Sequence, residues 1–218
     1  DGSYRIVNCP KLKSIQIGHE SFYDYHSFEL NNLPSLQSIV IGDECFVKVR
    51  VFELDGLGEL ESVVIGQSSF RIYGDKRSDG SYRIVNCPKL KSIQIGDESF
   101  YDYHSFELNN LPSLQSIVIG DECFGKVRVF ELNGLDELES VVIGQSSFRI
   151  YGDKRSDGSY RIVNCPKLKS IQTGDWSFHD YHSFELNNLP SLQFIDIGGF
   201  CFNWTPSFSL TGLIDELV

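Results

Sequence analysis

Leu33-Pro34-Ser35-Leu36-Gln37-Ser38-Ile39-Val40-Ile41-Gly42-Asp43-Glu44-Cys45-Phe46 sets a frame, L-x-x-[IV]-x-I-G-x-x-[SC]-F, that recurs through almost the whole chain. Leu12-Lys-Ser-Ile15-Gln-Ile17-Gly18 precedes it and Leu60-Glu-Ser-Val63-Val-Ile65-Gly66 follows. Further copies centre on Ile93, Ile117, Val141, Ile171 and Ile195. Ile39 and Ile41 stand two apart, the period of a strand with one buried face. Gly18, the equivalent of Gly42, is expected to allow a tight turn, and Phe22, the equivalent of Phe46, to bring the chain back over the core. A second alternating run, Phe46-Val-Lys-Val-Arg-Val-Phe52-Glu-Leu54, is expected to extend as a strand. Turn signals then follow at Val7-Asn8, Asn31-Asn32 and Asp55-Gly56. No run keeps apolar residues at helical spacing over two turns.

The units are spaced 24, 24 and 30 residues, and this triplet is itself copied. Residues 79–156 repeat 1–78 with four differences: His19/Asp97, Val47/Gly125, Asp55/Asn133 and Gly58/Asp136. A third copy, 157–218, stays close until about Phe194 and then drifts. A coil of this size cannot bury its own apolar face, so successive coils must stack, strand on strand, at about 4.8 Å. The fold expected is an all-β, β-rich solenoid: a single right-handed stack over 1–218, with a C-terminal cap over about 199–218 in which Trp204 and Phe208 lid the last coil. The first coil is expected to expose apolar strand edges, which makes self-association through open ends a second expectation. The chain has no Met and opens inside a repeat, and so reads as a piece of something longer.

The L-x-x-L-x-x-I-x-I motif of Leu33–Ile41 resembles the leucine-rich repeat. The I-G-x-x-[SC]-F segment after it resembles the BspA-like (treponemal) branch, known from surface and adhesion proteins. The resemblance implies a solenoid whose concave strand face recognises proteins, and it carries no catalytic residues.

In a stack, equivalent residues form columns. Beside the core strand run Ser14, Ser38, Ser62, Ser92, Ser116 and Ser140. Their neighbours are Gln16, Val40, Val64, Gln94, Val118 and Val142, preceded by Lys13, Gln37, Glu61, Lys91, Gln115 and Glu139. This mild face, with a charge cycle every three coils or about 14 Å, is the candidate partner-binding surface. The six extra residues of every third coil form candidate contact loops, with Asp75, Lys76, Arg77 and Asp79 in the first and Asp153, Lys154, Arg155 and Asp157 in the second.

Asp24-Tyr25-His26 and its copies at Asp102 and Asp180 are read as surface hydrogen-bonding groups, because copies three coils apart cannot complete one metal site. Cys9, Cys87 and Cys165 take leucine positions, whereas Cys45, Cys123 and Cys201 take serine positions beyond the turn. Like positions are three coils apart, beyond disulfide reach, so six free thiols are expected, which favours a reducing compartment. The family resemblance points instead to a cell surface. A net charge of −11 argues against nucleic acid and anionic lipid, and no apolar run is long enough to span a membrane. No phosphate loop, metal-spaced cluster or nucleophile elbow is present, and polar groups recur in threes along the stack rather than converging. No cofactor and no enzyme activity are expected. The functional expectation is a scaffold for protein recognition or adhesion with an unknown protein partner; the alternative is a building block that stacks into filaments.

Overall fold

The computed structural model describes residues 2–72, 80–150 and 157–212. Their regular structure is entirely β, two strands to a coil. The short strands are β2 (Ser14–Ile17), β4 (Ser38–Ile41), β6 (Ser62–Ile65), β8 (Ser92–Ile95), β10 (Ser116–Ile119), β12 (Ser140–Ile143), β14 (Ser170–Thr173) and β16 (Phe194–Ile197). The longer ones are β1 (Gly2–Val7), β3 (Tyr25–Asn31), β5 (Val51–Asp55), β7 (Gly80–Val85), β9 (Tyr103–Asn109), β11 (Val129–Asn133), β13 (Gly158–Val163), β15 (Tyr181–Asn187) and β17 (Ser207–Thr211).

All eight short strands join one parallel sheet in coil order, each residue opposite its equivalent in the next coil. The longer strands form a second parallel layer, divided into β1-β3, β5-β7-β9 and β11-β13-β15-β17. The expected β-solenoid of stacked coils is therefore the observed fold. Alternation does the sorting: in β2, Ile15 and Ile17 are buried while Ser14 and Gln16 face solvent.

Between the two layers lies an aromatic core. Phe22, Phe46, Phe70, Phe100, Phe124, Phe148, Phe178 and Phe202 stack in one column with centroids 4.9 to 5.4 Å apart. A second column, running from Tyr4 through Phe28, Phe52, Tyr82, Phe106, Phe130, Tyr160 and Phe184 to Phe208, steps by 4.7 to 5.6 Å. Rings of one column meet those of the other edge-on, as Tyr82 meets Phe100 at 4.9 Å. The ring spacing is close to the strand spacing, so the stack satisfies both at once.

Two expectations are corrected. The turn after each short strand is not made by its glycine: the left-handed residues are Glu20 and Phe22, Glu44 and Phe46, and their equivalents, while among the described residues positive-φ glycines occur only at Gly56, Gly134 and Gly212. A left-handed Phe costs about 1 kcal/mol, outweighed where the ring is fully buried, as for Phe46 and Phe100. The glycine column serves close approach instead. A Cβ on Gly66 would lie 2.5 Å from the Gly42 carbonyl carbon and 2.6 Å from the Asp43 nitrogen. Second, Phe46–Arg50 is not strand: Phe46 turns the chain, the Val49 N–H donates to the Phe46 carbonyl at 3.0 Å, and β5 begins only at Val51. The other turn forms where the Asn and Gly signals stand, with Asn8, Asn32, Asn86, Asn110, Asn164 and Asn188 in left-handed backbone alongside the three glycines.

Tyrosine chemistry divides by position. Tyr103 and Tyr181 donate their hydroxyls to the Val49 and Val127 carbonyls, each at 2.8 Å. Tyr82 and Tyr160 occupy the phenylalanine column with hydroxyls that are buried and unbonded. Tyr82→Phe is therefore expected to raise stability by about 1–2 kcal/mol, and Tyr103→Phe to lower it by about 1 kcal/mol. Urea denaturation of the two variants checks the opposite signs.

The cap expected over 199–218 lies partly outside the described residues. Within them, Phe208 continues the aromatic column by stacking on Phe184 at 4.7 Å, with 61% of its surface exposed, and Trp204 is 62% exposed.

Candidate binding face

The outward residues of the short-strand sheet form the columns that the repeat implies. Ser14, Ser38, Ser62, Ser92, Ser116, Ser140 and Ser170 lie in unbroken register, and Phe194 takes the serine place in β16. The next column reads Gln16, Val40, Val64, Gln94, Val118, Val142 and Gln172, ending at Asp196. Lys13, Gln37, Glu61, Lys91, Gln115 and Glu139 precede the strands, yet their backbones carry the ladder onward. Gln37 N–H donates to the Lys13 carbonyl and Glu61 N–H to the Gln37 carbonyl, both at 2.8 Å.

Charge on this face cancels at the block boundaries, a pairing that the sequence pattern contained and that the columns alone did not reveal. Lys91 meets Glu61 and Lys169 meets Glu139, both at 2.7 Å. Two residues earlier, Lys89–Glu59 and Lys167–Glu137 repeat the arrangement at 2.7 Å. The hydrogen bond from Lys91, and then its charge, hold the Glu61 carboxyl below the usual range, and Lys169 does the same for Glu139. These pairs are solvated and fix register more than stability. The remaining surface is small and mild: serines, glutamines and half-buried valines, with Val118 38% exposed.

The opposite layer carries a charged column that sequence reasoning passed over. The residue after each column aromatic reads Arg5, Glu29, Glu53, Arg83, Glu107, Glu131, Arg161, Glu185 and, after Phe208, Ser209. Arg83 bridges Glu53 and Glu107, Arg161 bridges Glu131 and Glu185, and Arg5 binds Glu29 at 3.0 Å. The signal was present in the recurring Tyr-Arg and Phe-Glu pairs.

Of the contact-loop residues, Asp75, Lys76, Arg77, Asp79, Asp153, Lys154 and Arg155 lie outside the described residues. Asp157 lies within them, exposed and ion-paired with Arg128. Two of the Asp-Tyr-His carboxylates bind lysines of the next coil, Asp24 to Lys48 and Asp102 to Lys126, each at 2.6 Å, and Asp180 lies 3.1 Å from His179 Nδ1. Desolvation, and then the nearby Lys126 charge, lower the His104 pKa. Among the described residues, no three or more His, Cys, Asp or Glu side chains gather to hold a metal ion, and no helix is long and apolar enough to cross a membrane.

The cysteines are packing groups. All six thiols are free. Cys45 donates to the Gly18 carbonyl at 3.2 Å, as Ser69 does to Gly42 at 2.8 Å, so thiol and hydroxyl substitute for one another in one ladder. Burial pushes the Cys165 thiol up to about 11 and Cys123 higher still. Such thiols are protonated at neutral pH and poor nucleophiles.

No protein-family model matches the chain, and no curated protein matches it. Among solved structures, a leucine rich cell surface protein from Faecalibacterium prausnitzii A2-165 matches at 15% identity, covering 91% of this chain and 70% of that one, with a TM-score of 0.19. A likeness at that level carries no weight for function.

Proposed function

We propose that the chain is a non-catalytic scaffold for protein recognition or adhesion, with its partner lying along the short-strand face. The observation that carries this is the unbroken register of the serine and glutamine/valine columns over seven coils. Small side chains there leave the sheet open to a second surface, and charges cancelled at block boundaries leave little net field to repel one. A partner with its own repeat near 14 Å fits best, since three coils separate identical contacts. The leucine-rich resemblance, with its BspA-like segment, agrees with a recognition role. The protonated thiols and the repetition of polar groups from block to block favour binding over chemistry.

A photo-crosslinking residue at Gln94, with one at Ser105 on the opposite layer as reference, tests the face. Partner capture is expected from position 94 only. Ser92→Arg together with Ser116→Arg is expected to weaken capture by about ten-fold or more. Capture from both positions, or indifference to the arginines, would reject the face.

A second reading, a building block that stacks end to end, draws support from β16. Phe194, Ile195 and Ile197 there are 48, 38 and 37% exposed. Light scattering separates the two: oligomers growing with concentration support stacking, and a monomer at all concentrations rejects it.

A further inference from the structure

The second layer is interrupted at two of its eight junctions. β3 and β5 are unpaired, as are β9 and β11, while every other neighbouring pair, including β15 and β17, is hydrogen-bonded. The turn backbones agree. Asn8, Asn86, Asn164 and Asn188 donate their N–H to Asn31, Asn109, Asn187 and Thr211 carbonyls at 3.0 to 3.1 Å, and Gly56 and Gly134 donate to Val85 and Val163. Among the described residues, Asn32 and Asn110 make no such bond across the two open junctions. Clefts of about 400 and 330 Å³ open there, the first bordered by Glu29, Asn31, Val51, Glu53 and Asp55.

The charge column separates open junctions from closed ones. Arginine faces glutamate at 5/29, 53/83, 83/107, 131/161 and 161/185, and each of those junctions is closed. Glutamate faces serine at 185/209, and that junction is closed too. Glutamate faces glutamate only at 29/53 and 107/131, the two gaps. Two like charges on adjacent coils near a protein surface repel with an energy comparable to the net gain from a few backbone hydrogen bonds.

We infer that these two junctions are charge-controlled seams, held open by paired carboxylates and closing when the charge on one of each pair is removed. At the first seam the facing groups are Arg5 from β1, Glu29 from β3, Glu53 and Asp55 from β5, and Arg83 from β7. At the second they are Arg83, Glu107, Glu131 and Arg161. The arginines are engaged with the glutamates on their own side, so neither spans a gap. The continuous short-strand sheet holds the coils together on the other side, and each seam therefore opens on one face only. Removing one carboxylate of each pair closes both seams and makes the second layer one ladder.

Hydrogen exchange of the full chain, read by mass spectrometry, tests this. Glu53→Ser with Glu131→Ser copies the closed junction at Ser209. It is expected to slow exchange in 25–32, 51–56, 103–110 and 129–134 by about ten-fold, with β8 and β10 unchanged. Glu53→Gln with Glu131→Gln replaces the serine pair if that pair does not fold. Unchanged exchange in the folded variants would overturn the proposal. So would equal slowing from Val51→Ser with Val129→Ser, which copies Ser207, or from Asp55→Thr with Asn133→Thr, which copies Thr211.

Discussion

Gly144→Ala is expected to destabilise the protein by roughly 3 kcal/mol or more, while Gly18→Ala has almost no effect. Both glycines end a short strand in the same sequence frame, and neither has a positive φ. The difference lies in what stands above them. A Cβ on Gly144 would come within 2.5 Å of the Gly120 carbonyl carbon and 2.6 Å of the Asp121 nitrogen, and within 2.3 Å of Asp121 Oδ1. Two of those atoms are backbone, held by the coil-to-coil ladder through bonds such as Gly144 N–H to the Ile119 carbonyl at 2.8 Å. Asp121 Oδ1 is held as well, accepting from the Gln145 N–H at 2.8 Å. Relief would require parting two coils of a packed stack. A Cβ on Gly18 meets nothing within 4 Å. Urea midpoints for the two variants decide the matter; equal costs would mean that the glycines serve a turn after all.

Phe100→Ala should cost about 3–5 kcal/mol, the usual range for emptying a buried aromatic site. Its ring is fully buried and meets Phe70 at 4.9 Å and Phe124 at 5.4 Å face to face, with Phe52, Tyr82 and Tyr103 edge-on. Neighbouring rings are held at strand spacing by their own ladders, so they cannot collapse into the void. Phe22→Ala in the first coil, where the ring is only part-buried and stacks on one side, should cost roughly half as much. Because stacked repeats can unfold in parts, the loss is best read from exchange protection around β7, β8 and β9 together with the denaturation midpoint. Equal losses at Phe22 and Phe100 would show that the column does not act as a continuous core.

Much of this architecture could be read from residues alone. Ile39 and Ile41 declare a one-sided strand, Asn32 and Gly56 declare left-handed turns, and the period of 24, 24 and 30 residues declares a stack. The serine and lysine-glutamine-glutamate columns follow once the coils are counted. Gly42 misled because glycine has two uses, a left-handed turn and close approach, and composition does not distinguish them. Phe46 misled because an apolar residue in an alternating run reads as strand, whereas burial here outweighs the cost of left-handed backbone.

What the amino-acid order determined by itself is the coil: its length, its two strands and the side of each that faces inward, since these depend on neighbours within one repeat. What only the tertiary structure decided lies between coils. It set which glycines face backbone, how Lys91 finds Glu61, and where Glu29 opposing Glu53 leaves the second layer unpaired. Those features arise from groups that are 24 or 30 residues apart in the chain yet one strand spacing apart in space, a distance that exists only after the coils have stacked.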